Sequence, residues 1–76
     1  MQRFSLTYFN ESGNVARVAN VAGGGTGKAF VDAAVATHWP ADDEGNDLPG
    51  YTAFAMVGWD ATGPATALGY GYTAKP

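Results

Sequence analysis

The sequence predicts an α+β fold: a ββαββ chain whose four-stranded, mainly antiparallel sheet carries one helix packed on one face. Three observations carry this expectation. Residues 3–9 and 51–59 follow the period of two that marks a half-buried strand. Each is followed by a short turn holding an Asx residue and a glycine, then by a second strand-like segment. Between these two hairpins, residues 28–39 switch to the 3.6-residue period of a helix.

In the first strand Phe4, Leu6 and Tyr8 point one way and Arg3, Ser5 and Thr7 the other. Asn10-Glu11-Ser12-Gly13-Asn14 turns the chain, with Gly13 where a left-handed residue closes a hairpin, and residues 15–21 return as a β-branched strand. Gly23-Gly24-Gly25-Thr26-Gly27 then breaks the strand and sets Thr26 to cap a helix. The helix is expected from Lys28 to Trp39, its apolar stripe formed by Phe30, Val31, Ala34, Val35 and His38, and Pro40 ends it.

The third strand puts Tyr51, Ala53, Ala55, Val57 and Trp59 on one face and Thr52, Phe54, Met56 and Gly58 on the other. Residues 60–64 turn the chain, and residues 65–73 return with Thr66, Leu68, Tyr70 and Tyr72 on one side, opposite a nearly bare row. Phe9–Gly13 and Trp59–Gly63 share the order aromatic, Asx, any residue, hydroxyl, glycine, so both are expected to solve the same turn problem. How the two hairpins join stays open, whether parallel, antiparallel or unpaired.

Seventy-six residues make one domain, 1–76, with a thin core. A chain this short buries about 60–65% of the surface its unfolded form exposes. Much of the 46% hydrophobic content is alanine, so the larger side chains Phe4, Leu6, Tyr8, Phe9, Phe30, Phe54, Met56, Trp59, Leu68 and Tyr70 are expected to supply the packing. The absence of cysteine excludes disulfides and thiolate zinc sites, and His38 is the only histidine. A net charge of −3 disfavours direct binding to nucleic acid or an anionic membrane. No apolar run approaches the roughly 20 residues that span a bilayer, and the first residues carry no apolar signal core, so a cytoplasmic location is expected.

No motif assembles a catalytic site. Gly23–Lys28 imitates a phosphate-binding loop, but Ala22 stands where the pattern needs glycine and Ala29 where it needs a hydroxyl. His38 falls at a helix end with no serine placed beside it, and the carboxylates of residues 42–47 fall in a loop without an apolar pocket. The same carboxylates lack EF-hand spacing, so no metal and no cofactor is expected. An RNA-stacking sheet would need basic surroundings that this chain lacks.

Two surfaces remain. Asp42, Asp43, Glu44 and Asp47 lie in a stretch without a basic residue, suited to Lys or Arg on a partner, although a merely solvated loop is the commoner meaning of such a run. Tyr51, Tyr70 and Tyr72, with Trp59, are expected partly on the open face of the sheet as aromatic anchors.

The small size, lack of cysteine, acidic balance, sheet-and-helix layout and Asp42-Asp43-Glu44-Gly45-Asn46-Asp47 segment together resemble small phage-encoded anti-CRISPR proteins, in particular inhibitors of type I surveillance complexes. The resemblance implies a non-enzymatic inhibitor in the host bacterial cytoplasm. It implies a protein partner with a basic nucleic-acid-binding surface, such as a Cascade subunit, whose access to target DNA the inhibitor blocks. The alternative is a phage or bacterial structural or assembly protein that self-associates through its sheet, so a homo-oligomer stays open.

Overall fold

The computed structural model describes residues 2–23, 28–59 and 68–76. The elements are β1 (Gln2–Phe9), β2 (Val15–Gly23), α1 (Lys28–Thr37), β3 (Thr52–Trp59) and β4 (Leu68–Tyr72). They form the expected α+β architecture, one sheet in the order β2-β1-β3-β4 with every neighbour antiparallel. The junction left open by the sequence is the β1–β3 pair, in which Phe4 faces Val57 and Phe9 faces Thr52. The fourth-strand residues before Leu68, the turn at 60–64 and the glycine-rich segment 24–27 with Thr26 lie outside the described residues.

The register sorts side chains into two faces. On one face Tyr8, Ala53 and Tyr72 form a row across β1, β3 and β4, and Leu6, Ala55 and Tyr70 form the next. The two alanines of β3 are what let a helix approach a sheet that also carries the large side chains of Leu6, Tyr8, Tyr70 and Tyr72 on this side. Val31 and Val35 of α1 pack there with Trp39, and together with Leu6, Tyr8, Ala53, Ala55 and Tyr72 they make up the buried core. Ala19, Val21, Phe30, Ala34, Tyr51 and Tyr70 pack against its margin.

The helix ends sooner than its periodicity predicts. Pro40 has no amide to continue the ladder, and the chain leaves α1 at Thr37. His38 N–H still reaches the Ala34 carbonyl at 3.2 Å, while Trp39 N–H turns to Ala36 at 3.3 Å. The Val35 carbonyl is therefore left without its usual helical donor, and the buried Tyr8 hydroxyl donates to it at 2.7 Å. Tyr8 also meets Trp39 edge-to-face, with ring centroids 5.6 Å apart.

No element among the described residues packs on the opposite face. Phe54 and Met56, expected in the core, lie on it at 41% and 42% exposure, near Val18 at 56%. Their period-two neighbours Ala53 and Ala55 took the helix side instead. Gly69 completes this face: a Cβ there would stand 2.6 Å from Phe54 Cζ, so its bare backbone is what lets the ring lie over β4.

Candidate functional site

The registers bring three separate pieces of chain to one end of the sheet. Phe9 pairs with Val15 and with Thr52, and Ala53 pairs with Tyr72. The 10–14 turn, the 38–51 connection and the 73–76 tail therefore share that end. Five of the seven acidic residues lie in these segments: Glu11, Asp42, Asp43, Glu44 and Asp47. Glu11 was not legible as a site residue, because its distance in sequence from the acidic run hides the closeness that the β1–β3 register creates.

The acidic connection is a built loop rather than a loose one. Ala41 and Asp47 bridge as antiparallel strand partners, and Leu48 N–H donates to the Pro40 carbonyl at 3.0 Å. Within this ring Asp42 Oδ1 accepts from the amides of Glu44 at 2.9 Å and Asn46 at 2.8 Å. Gly45, at φ 83°, makes the left-handed step that closes the turn. The Asn46 amide first, and then those of Glu44 and Gly45, hold the Asp42 carboxyl below the usual aspartate range.

The four loop acids are thus not equivalent. Asp42 is turned towards its own backbone, and Asp47 pairs with Lys75 at 3.0 Å. Asp43 and Glu44 are exposed at the tip and make no ion pair with another described residue. Below the loop, Asn10, Glu11 and Ser12 face Pro49, Gly50 and Tyr51 across an open cleft of about 290 Å³.

The aromatic anchors require correction. Tyr51, Tyr70 and Tyr72 do not lie on the open face. Tyr72 is 8% exposed within the core, and Tyr51 and Tyr70 are half-buried against it. The physical reason is the phase of β4: with Gly69 and Gly71 on the outer side, the tyrosines must turn to the helix. There Tyr72 Oη donates to Asp32 Oδ1 at 2.8 Å, and Lys28 Nζ stands 5.7 Å from the same ring. The Trp59 side chain lies outside what is described. Among the described residues the exposed large apolar side chains are Val15, Val18, Phe54 and Met56.

Among the described residues no group of three or more His, Cys, Asp or Glu side chains gathers as metal ligands, and no helix is long and apolar enough to cross a membrane. Compared with protein-family models, with curated proteins and with solved structures, the chain finds no match in any of the three.

Proposed function

We propose that this chain is a non-catalytic protein inhibitor that presents a rigid acidic tip to a basic, nucleic-acid-binding surface of a larger bacterial protein. The supporting observation is the gathering of Glu11, Asp42, Asp43, Glu44 and Asp47 at one end of the sheet, with Asp43 and Glu44 held outward by the Asp42-centred turn. A loop backbone fixed by the Asp42 bonds loses little freedom on binding, and opposite charge speeds encounter and selects partners. In the finer form of this reading the partner is a subunit of a type I surveillance complex, met in the host cytoplasm and blocked from target DNA as by the anti-CRISPR proteins that the sequence resembles.

The test is capture of the tagged protein's partners from a lysate of a bacterium carrying such a complex, at low and high salt, alongside an Asp43→Lys/Glu44→Lys variant. Recovery of a surveillance-complex subunit that is lost at high salt and in the variant supports the proposal. Recovery unchanged by either treatment removes its electrostatic basis, and failure to recover any such subunit removes the finer identity.

A second reading, assembly through the sheet, is favoured by the exposure of Val18, Phe54 and Met56 on the outer face. Light scattering separates the two. A stable oligomer that becomes monomeric in Phe54→Ser supports assembly, and a monomer at all accessible concentrations argues against it.

A further inference from the structure

The cleft beneath the acidic tip has its own chemistry. Its walls are two short segments far apart in sequence, Asn10–Ser12 and Pro49–Tyr51, brought together by the pairing of Phe9 with Thr52. Among the described residues Glu11 is the only charged one that lines it. Its side chain folds against Gly50, whose missing Cβ leaves the space that the Glu11 carboxylate and its Cγ occupy. Gly50 also needs its φ of 82°, so the backbone and the acid are fitted to each other at this point.

What remains free for a ligand is selective. Asn10 Oδ1 is taken by the amides of Ser12 and Asn14, each at 3.0 Å. The Glu11 carboxylate makes no hydrogen bond or ion pair with another described residue, and Tyr51 lends the edge or face of a half-buried ring. Pro49 adds an apolar wall. A volume of about 290 Å³ lies at the floor of the roughly 300–1,000 Å³ that hold free small molecules, and the cleft is open on one side. It suits the end of one long side chain.

We propose that this cleft is a subsite for a basic side chain of the partner, an arginine in preference to a lysine. The guanidinium pairs with the Glu11 carboxylate and lies against Tyr51, while its methylenes run along Pro49. A planar, weakly hydrated cation matches a carboxylate beside a ring better than an ammonium does. The subsite deepens the inhibitor reading and rests on it, since it names the chemistry that the partner surface must offer next to the acidic tip.

The test uses the labelled full chain and acetyl-arginine amide as probe, followed by amide NMR shifts. The expected result is shifts at residues 10–12, 50 and 51, weakened roughly tenfold in Glu11→Gln and retained in Asp43→Lys/Glu44→Lys. Glu11 is exposed, so its substitution leaves the fold intact as the unchanged remainder of the spectrum reports. Shifts confined to residues 42–47, or equal in Glu11→Gln, overturn the subsite and leave the acidic-tip reading standing. No shift anywhere overturns the subsite too. Shifts at the cleft with no surveillance-complex subunit captured uphold the subsite and remove only the partner identity.

Discussion

Tyr72 and Asp32 are joined across the fold: the phenol of β4 donates to the carboxylate in the middle of α1 at 2.8 Å, and Lys28 pairs with the same oxygen at 3.0 Å. The bond ties β4 directly to the helix. Tyr72→Phe keeps the buried ring and removes only the bond, and it is expected to lower the thermal midpoint by about 5 °C. Calorimetry of the two proteins decides it.

The same pair sets a pH window. The Tyr72 bond and then Lys28 hold Asp32 below its ordinary value of 3.8, so that contribution is full above this pH and is lost as the pH falls through the lower folded value. Burial, and then the Asp32 carboxylate, push the Tyr72 phenol above its ordinary 10.0. Its contribution is full below about pH 10 and is lost as the pH rises beyond it. Urea midpoints measured across pH should therefore fall at both extremes, and Tyr72→Phe should flatten the alkaline fall. An unchanged alkaline limb in that variant would assign the loss to other tyrosines, Tyr8 foremost, since burial raises it as well.

Trp39 shows what the thin core depends on. It is 6% exposed, packs edge-on against Tyr8 and sits where Pro40 turns the chain out of the helix. Trp39→Ala is expected to cost about 3–5 kcal/mol. A domain of this length has roughly 4–11 kcal/mol in total, so the variant should lose a large share of its stability, read as a marked drop in its urea midpoint by far-ultraviolet circular dichroism. Tyr8→Phe, which strands the Val35 carbonyl, should cost about 1–3 kcal/mol and remain folded.

The strands and the helix were legible because period carries them. Leu6 and Tyr8, or Ala53 and Ala55, share a face whatever the fold does with it. Which face is covered was not legible: alternation says that Phe54 opposes Ala53, but only the helix decides that alanine goes inside. The expected helix ends on Trp39 but leaves it off the apolar stripe, which takes His38 instead, although Trp39 continues the row of Val31 and Val35 at i+4. The turn chemistry was legible in kind. The echo expected at 60–63 lies outside the described residues, and the 42–46 turn, which the sequence reading did not pair with it, reproduces the 10–14 turn bond for bond. Asn10 Oδ1 accepts from Ser12 and Asn14 as Asp42 Oδ1 does from Glu44 and Asn46. Asn10 N–H and Asp42 N–H each reach the carbonyl four residues on at 2.9 Å, and Gly13 and Gly45 stand at φ 79° and 83°. The shared spelling is Asx, two residues, glycine, asparagine.

That equivalence makes a prediction about the acidic tip. Asn10 does with an amide what Asp42 does with a carboxylate, so Asp42→Asn should keep the turn and remove one charge. Asp42→Ala removes the acceptor and should loosen it. Amide hydrogen exchange at Glu44 and Asn46 reads the difference: protection close to wild type in the first variant and lost in the second. Equal loss in both would mean that the charge, rather than the oxygen position, holds the loop.

Gly69 and Phe54 offer a test of the open face. An alanine at 69 would put its Cβ 2.6 Å from the Phe54 ring, so Gly69→Ala must drive that ring off β4 into solvent. The cost should vanish once the ring is gone. In a Phe54→Ala background the same substitution meets no ring, and alanine restricts the unfolded chain, which favours folding by about 0.4–1 kcal/mol. A double-mutant cycle by urea unfolding should therefore give Gly69→Ala as destabilising alone and neutral or stabilising in combination, with coupling of about 1 kcal/mol. Additive costs would mean that the ring does not rest on the glycine. The outer face would then be still more open than its exposed Val18, Phe54 and Met56 make it, and assembly through it would gain ground over inhibition by the acidic tip.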